Sequence, residues 1–151
     1  MPSVAAIVLN YNGKDLTFQT VESLQGLTHE DLEIVVVDNG SSDGSHEAVQ
    51  AEFPEVTALR VEVNQGISVG LNAGITYAMD RGFDYLLILN NDIEVHPEMV
   101  TEMLAVAERD PAIGCVGPKT YYYSDRNRLW SAGGRIRFRE AVTRERGMLD
   151  L

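Results

Sequence analysis

Asparagine, aspartate and glycine residues stand directly behind four apolar segments of the sequence. The four clusters are Asn10-Tyr11-Asn12, Asp38-Asn39, Asn64-Gln65-Gly66 and Asn90-Asn91-Asp92. Side-chain amides and carboxylates bind hydrogen-bonding ligands and divalent cations, although the same residue types are also common in turns and helix caps. A single cluster is well explained as a turn. Four of them, each at the end of an apolar segment, indicate a binding site.

Asp92 and Asp38 have the most specific chemistry in these clusters. A carboxylate at the end of a buried strand can ligate Mg²⁺ or Mn²⁺ while diphosphate oxygens and water fill the other positions of the cation, so we predict that Asp92 is a metal ligand. Its structural alternative is a helix cap, but His96 stands closer to the helix that Pro97 is expected to begin. Asp38 can accept a hydrogen bond from a base-edge NH such as N3 of uracil or thymine.

Three glycines recur at four-residue spacing in the stretch NQGISVGLNAG. This spacing differs from the GxGxxG pattern of dinucleotide-binding proteins. Gly70 and Gly74 would share one helix face and permit close packing on a sheet, whereas Gly66 would let the backbone approach a ligand.

Strands and helices that must position these residues alternate along the chain. The predicted strands cover residues 4–10, 33–39, 57–63, 84–89 and 113–117, and a helical apolar spacing follows each of the first four. This alternation predicts a three-layer α/β/α fold with a mostly parallel central sheet. Ligands of such sheets bind beyond the carboxyl ends of the strands, which is where all four polar clusters fall.

Composition argues against several classes of protein. The formal net charge of −11 disfavours nucleic acid as a partner. We find neither an apolar run of membrane-spanning length nor a signal peptide, and therefore expect a cytoplasmic protein without a transmembrane segment. The single cysteine, Cys115, lies in the stretch IGCVG and is predicted to be a buried small hydrophobe.

The distribution of positive charge divides the chain. Eight of the twelve Lys and Arg residues lie after residue 118. This predicts an α/β domain over 1–118 and a segment of different character over 119–151.

Four blocks of the sequence resemble, in order and spacing, those of family 2 glycosyltransferases, and the likeness is closest to the rhamnosyltransferase-like branch. The blocks are VAAIVLNYNG, VVVDNGSSDGS, NQGISVGLNAG and LLILNNDIEVHPEMV, and GPKTYYY and LWSAGG extend the resemblance to about residue 134. The resemblance implies a GT-A fold. It also implies transfer of a sugar, with inversion, from a UDP-, dTDP- or GDP-linked donor to a hydroxyl of a glycan or lipid-linked acceptor.

The same resemblance implies roles for individual residues. Those implied to bind the nucleotide are Leu9, Asn10, Tyr11, Asn12, Asp38, Asn39, Asn64, Gly66, Asn72, Asn90 and Asn91. The first strand's end and Asp38 would surround the base, whereas Asn64, Gly66 and Asn72 would line the ribose and diphosphate. In the triplet that matches the family's DxD-like motif, Asp92 would hold the divalent cation and Asn90 replaces the usual first acid. Trp130 and Gly133 would lie on the acceptor side.

The general base has no counterpart that the resemblance identifies in this chain. Family members extend further and take the base from an acidic residue after the region that matches WSAGG. The later acids here are Glu140, Glu145 and Asp150, and none stands in a motif that matches the base. We therefore expect a truncated enzyme that binds a nucleoside diphosphate with Mg²⁺ or Mn²⁺ but transfers sugar poorly alone. Its expected place is cell-surface polysaccharide or glycan synthesis at the inner face of the membrane, and its basic, aromatic tail is a candidate homodimer contact.

Two alternatives remain open from the sequence. A sugar-nucleotide nucleotidyltransferase shares the layered α/β design, but its glycine-rich phosphate loop with a basic residue has only a short match at Asn10 to Lys14. A non-catalytic domain that binds sugar nucleotides or a partner protein is the second. A gene that continues past residue 151 into an acceptor segment would favour the enzyme, and a stop codon there would favour the binding domain.

Overall fold

A computed structural model describes residues 1–137, 139 and 142–145 of the chain. The chain divides into two compact units, Met1–Val100 and Thr101–Leu151. The first contains β1 (Val4–Asn10), α1 (Lys14–Gln25), β2 (Leu32–Asp38), α2 (Ser45–Glu52), β3 (Thr57–Arg60), α3 (Ile67–Arg81) and β4 (Tyr85–Asn90). Helix α4 (Met99–Ala107) runs across the division. The predicted boundary at residue 118 stays a prediction.

Four parallel strands form the sheet of the first unit, in the order β3-β2-β1-β4. Asn10 pairs in register with Asp38, and Leu9 pairs with Asn90. The predicted α/β fold with a mostly parallel sheet is confirmed. Because the strands are parallel and in this register, the polar residues that follow β1, β2 and β4 meet at one edge.

Helices cover both faces of the two central strands. Successive side chains of a strand point to opposite faces, and all residues from Val4 to Val8 and from Ile34 to Val37 are buried. Helix α3 packs closely on one face, where a Cβ on Gly74 would lie 2.5 Å from Cγ2 of Ile7 and 3.0 Å from Cγ2 of Val37. The prediction that Gly74 and Gly70 permit close packing is confirmed, and α1 contacts β1 as well.

Three sequence predictions are wrong, two about residues 113–117 and one about β4. Residues 113–117 form no strand, and Cys115 is exposed. The segment begins at a turn in which Asp110 accepts hydrogen bonds from the backbone N–H groups of Ala112 and Ile113, and its two glycines disfavour a strand. Strand β4, predicted to be buried, lies at the edge of the described sheet, so Ile88 is 48% exposed.

Several boundaries also differ from the predicted ones. Strand β3 ends at Arg60 rather than at residue 63, and β2 and β4 are each displaced by one residue from the predicted 33–39 and 84–89. The alternation of Ile136 and Phe138 with arginines predicts a half-exposed strand, and Phe138 lies outside the described residues. Within the described part of the chain, no helix has the length and apolarity needed to cross a membrane.

The second unit contains two antiparallel strand pairs. Strand β5 (Thr120–Tyr122) pairs with β6 (Asp125–Ser131), and β7 (Gly134–Arg137) pairs with β8 (Val142–Glu145). Two arginines of β6 lie over tyrosine rings, Arg128 over Tyr122 of β5 and Arg126 over Tyr123 in the turn between the two strands.

Candidate functional site

The side chain of Asn10 lies fully buried at the carboxyl end of β1, where it is 0% exposed. Its Oδ1 accepts three hydrogen bonds, from the backbone N–H of Gly13 at 3.2 Å, Oγ1 of Thr17 at 2.9 Å and Nδ2 of Asn91 at 3.1 Å. A backbone N–H can only donate, so the contact with Gly13 fixes which end of the amide is the oxygen. Asn10 therefore joins the end of β1 to the start of α1 and to the Asn90-Asn91-Asp92 triplet.

The other end of the same amide holds the segment that follows β2. Nδ2 of Asn10 donates to Oδ1 of Asp38 at 2.9 Å and to Oγ of Ser41 at 3.3 Å. Asp38 is 1% exposed, and its Oδ2 accepts from the backbone N–H of Ser41 at 3.1 Å. Both carboxyl oxygens of Asp38 thus have a protein partner, and the carboxyl group is fixed beneath the 39–42 turn.

Asn12 closes the turn after β1 onto the same loop. It is the one described non-glycine residue with positive φ, at +51°, a conformation that Asn tolerates better than most residues. Its backbone N–H donates to Oγ of Ser41 at 2.9 Å, and its Oδ1 accepts from the backbone N–H of Ser42 at 2.8 Å. Tyr11, beside it, is exposed. The turn therefore presents an aromatic ring on a backbone that the neighbouring loop holds in place.

Asp43 anchors the far end of this loop to α2. Its Oδ1 accepts from the backbone N–H and the hydroxyl of Ser45, and its Oδ2 accepts from the backbone N–H of Lys14 at 3.4 Å. Desolvation raises the pKa of Asp43, but these hydrogen bonds outweigh it, so its pKa lies below the ordinary value. Asp43 therefore holds the start of α2 from just outside the helix, since the N-cap position itself belongs to Gly44.

The third cluster is held by Asn39 and Asn64. Nδ2 of Asn39 donates to Oδ1 of Asn64 and to the carbonyl of Gly66, each at 3.2 Å, and Oδ1 of Asn64 also accepts from the Gly66 N–H at 2.8 Å. Gly66 has φ +97°, which favours glycine, and it precedes α3. Oδ1 of Asn39 is buried and has no hydrogen-bond partner among the described residues. The loop before α3 is therefore tied to the end of β2.

The Asn90-Asn91-Asp92 triplet turns its middle side chain inward and its outer two outward. Nδ2 of Asn91 lies 3.0 Å from Oγ1 of Thr17, in addition to its bond to Asn10. Asn90 and Asp92 are exposed. Among the described residues the Asp92 carboxylate forms no hydrogen bond or ion pair. Nδ1 of His96 accepts a hydrogen bond from the backbone N–H of Glu98 at 3.4 Å. The helix-capping alternative for Asp92 therefore finds no support.

A divalent cation at this triplet would need ligands beyond the protein. Among the described residues no group of three or more His, Cys, Asp or Glu side chains could hold a metal. Mg²⁺ in proteins is often bound through one or two carboxylates together with substrate phosphates and water. The free carboxylate of Asp92 and the exposed amide of Asn90 fit a cation that arrives with a diphosphate, and they do not fit a metal site complete by itself.

Of the remaining predicted site residues, Asn72, Trp130 and Gly133 are exposed, whereas Leu9 is half-buried in β1. Asn72 lies on α3, and Trp130 lies on β6 in the second unit, with Gly133 at φ +86° after it. Glu140 and Asp150 lie outside the described residues, and Glu145 is described only as part of β8. The assignment of Asn72 to the ribose and diphosphate, and of Trp130 and Gly133 to the acceptor side, stays a prediction.

The sequence analysis did not identify three residues that belong to this hydrogen-bond network, namely Gly13, Thr17 and Ser41. Thr17 and Thr20 are fully buried on the same face of α1 as Val21 and Leu24, and two threonines on an apolar helix face were a signal that buried hydrogen bonds were needed. Gly13 and Ser41 lie in turns, where their residue types are ordinary. Their importance depends on contacts between distant segments.

The sheet topology and the connected polar edge define an α/β protein of the GT-A fold, a classification that structural neighbours support. A mannosyltransferase from Pyrobaculum calidifontis, in complex with GDP-Man and Mn²⁺, matches with a TM-score of 0.66 and 24% identity over 78% of this chain and 36% of that one. TarS 1-349 of S. aureus in complex with UDP-GlcNAc matches with a TM-score of 0.64 and 18% identity over 80% of this chain and 38% of that one.

Family membership follows from the sequence comparison. Residues 5–150 match the family described as glycosyl transferase family 2, and the chain belongs to that family. An N-acetylglucosaminyl-diphospho-decaprenol L-rhamnosyltransferase of Mycobacterium tuberculosis is 30% identical over 104 residues, which cover 64% of this chain and 34% of the relative. The matched regions of this and other curated relatives span between 14% and 37% of their lengths.

Proposed function

We propose that this chain forms the donor-binding part of an inverting glycosyltransferase, which takes its sugar from a UDP-, dTDP- or GDP-linked donor in the presence of Mg²⁺ or Mn²⁺. The observation that carries the proposal is the hydrogen-bond network that joins the carboxyl ends of β1, β2 and β4. One buried amide, that of Asn10, contacts both Asp38 behind β2 and Asn91 behind β4, and the free carboxylate of Asp92 stands beside Asn91.

Relatives and neighbours support the choice of ligand. One structural neighbour is in complex with GDP-Man and Mn²⁺, and the other is in complex with UDP-GlcNAc. The rhamnosyltransferase relative acts, by its name, on a diphospho-decaprenol-linked sugar. We accordingly propose a nucleoside-diphosphate sugar as donor and a hydroxyl of a glycan or lipid-linked acceptor as the receiving group.

The base side of the donor site is proposed to lie at the turn after β1 and the loop after β2. Tyr11 is exposed there and offers a ring face, whereas Asn12 fixes the backbone. Asp38 is the proposed acceptor for a base-edge NH. Its burial means that this contact requires the 39–42 turn to admit the base, while its bonds to Asn10 and Ser41 keep the carboxyl group oriented.

The diphosphate side is proposed to lie between the triplet and the loop before α3. Asp92 would hold the cation, with Asn90 beside it, and Asn64, Gly66 and Asn72 would border the ribose and diphosphate. When bound, the cation would neutralise charge on the departing diphosphate. Gly66 leaves open space for a ligand, because a Cβ built at this position would meet no atom within 4 Å.

The proposed reaction is a single in-line displacement at the anomeric carbon. An acceptor hydroxyl loses its proton to a carboxylate base and forms the new glycosidic bond as the bond from the anomeric carbon to the diphosphate oxygen breaks. The electron pair leaves with the diphosphate, and the configuration inverts because attack and departure occur on opposite faces. The described residues of this chain are proposed to bind and orient the donor, and the base is not assigned to any of them.

Calorimetric titration of the chain with UDP, dTDP and GDP, each with and without Mn²⁺, tests the proposal. We expect at least one nucleotide to bind, and to bind more tightly with Mn²⁺, because the cation links the diphosphate to Asp92. Mn²⁺ alone should bind weakly, since a single carboxylate is available for it. Failure of all three nucleotides to bind in the presence of Mn²⁺ would contradict the proposed function.

A further inference from the structure

The nucleotide side and the cation side of the proposed site depend on opposite ends of one side chain. Nδ2 of Asn10 contacts Asp38 and Ser41, and Oδ1 of Asn10 contacts Asn91. Every hydrogen-bonding atom of Asn10 has a protein partner, and the residue is 0% exposed. A group in this state acts on a ligand through its neighbours rather than by touching the ligand.

Asn91 is in turn the anchor of the exposed residues on either side of it. Its Nδ2 lies within hydrogen-bond distance of three acceptors, namely Asn10 Oδ1 at 3.1 Å, Thr17 Oγ1 at 3.0 Å and the Gly13 carbonyl at 3.4 Å. The next residue, Asp92, has no such anchor of its own among the described residues. The backbone of Asp92 is therefore held on one side by the attachment of Asn91 to the end of β1, and on the other by Ile93, whose backbone N–H and carbonyl lie 3.3 Å and 3.0 Å from Oγ1 of Thr20.

We propose that Asn10 and Asn91 are positioning residues that couple cation binding at Asp92 to nucleotide binding at the Asp38 loop. This inference rests on the proposed function and adds a mechanism to it. A misplaced metal ligand weakens the bridge between cation and diphosphate even where the nucleotide contacts survive. The coupling is measured by the ratio of the nucleotide Kd without Mn²⁺ to the Kd with Mn²⁺.

Gly13 gives a way to break the Asn91 attachment without removing any polar atom. A Cβ at residue 13 would lie 2.4 Å from Nδ2 of Asn91 and 3.3 Å from Oδ1 of Asn10. Gly13 has φ −133° and ψ 47°, so its backbone is not in the left-handed region that favours glycine. The atom in the way is the end of a flexible side chain on a partly exposed loop, so Asn91 should move aside while the fold persists. Oδ1 of Asn10 has to give by only a few tenths of an ångström, so we expect Nδ2 of Asn10 to keep its bonds to Asp38 and Ser41.

In calorimetric titrations of Gly13→Ala with the nucleotide that binds the wild-type chain, we expect the coupling ratio to fall by at least about fivefold. The Kd without Mn²⁺ should stay within about twofold of the wild-type value, because the base side is intact. Gly114→Ala is the matched control, since a Cβ at residue 114 would meet no atom within 4 Å. It should leave both quantities unchanged.

Asn91→Ala removes the anchor by deletion rather than by displacement and should lower the ratio in the same way, which guards against misfolding of the first variant. An unchanged ratio in both variants would overturn the coupling. An equal loss of affinity with and without Mn²⁺ would also overturn it, because it would indicate general damage to the site. Absence of nucleotide binding by the wild-type chain would instead refute the proposed function.

Discussion

Replacing Asp92 with asparagine is expected to remove the Mn²⁺-dependent part of nucleotide binding, with affinity in the presence of Mn²⁺ falling at least about tenfold, or about 1.4 kcal/mol. The substitution keeps the size of the side chain and removes its charge. In the described structure no second carboxylate cluster could take over the cation. Affinity without Mn²⁺ should be unchanged or slightly higher, because the negative charge beside the diphosphate is gone. Calorimetric titration with and without Mn²⁺ measures both effects.

Asp80→Asn is the matched control for this experiment. Asp80 is an exposed aspartate in the last turn of α3, at the end of that helix away from Gly66. The two variants therefore change net charge equally, and only one changes the proposed cation site. Two results would count against Asp92 as the metal ligand. One is that Mn²⁺ raises the nucleotide affinity of Asp92→Asn as much as that of the wild-type chain, and the other is that both variants lose the same affinity in the presence of Mn²⁺.

Asn10→Leu is expected to lower the free energy of unfolding by about 3–5 kcal/mol, because it strips hydrogen-bond partners from several buried groups at once. The substitution leaves the Asp38 carboxyl group, the Thr17 hydroxyl and the Gly13 N–H each with one partner fewer, and leucine, although branched like asparagine, is bulkier. Against a typical total stability of about 5–15 kcal/mol, this loss brings the chain close to unfolding. Urea denaturation followed by circular dichroism measures it.

The same substitution at an exposed position separates burial from residue type. Asn127 is exposed on β6, and Asn127→Leu should change the free energy of unfolding by no more than about 0.5 kcal/mol. If Asn10→Leu proved equally mild, the buried amide network would not be holding the edge of the sheet together.

The two central strands, and the polar residues at their carboxyl ends, were predictable from the sequence. A strand that is buried on both faces is a continuous apolar run, and its end is marked by the first polar residues. VAAIVLN and EIVVVDN are continuous apolar runs that end in Asn or Asp, as expected of central parallel strands. The edge position of β4 was not predictable in this way. DYLLIL is equally apolar, but pairing partners decide whether a strand is central, and periodicity carries no information on them.

The site was predictable as a set of positions but not as a network. Asn10 and Asn91 were identified by type and place, and their attachment to each other across 81 residues emerged only from the structure. Gly13 reads as an ordinary turn glycine, yet its missing Cβ makes room for the Asn91 amide. Contacts of this kind depend on register and on tertiary packing, which local sequence does not specify.

Local sequence carries little signal for the role or the burial of residues in the second unit. Trp130 and Gly133 were assigned to the acceptor side through the family resemblance alone, and Cys115 shows how an apolar stretch such as IGCVG can be exposed. Short apolar runs bracketed by glycine have no helical or strand period to test, so burial cannot be inferred from them.

The central claim is that the donor nucleotide binds at the carboxyl edge of the parallel sheet, and mapping of backbone amide signals by ¹⁵N NMR tests it most directly. On addition of UDP, dTDP or GDP with Mg²⁺, shifts should concentrate in the segments 11–13, 39–43, 64–66 and 91–93. Amides at the opposite edge, such as those of Ser3, Glu33 and Asp84, should stay in place. Shifts confined to that opposite edge or to the second unit would contradict the claim.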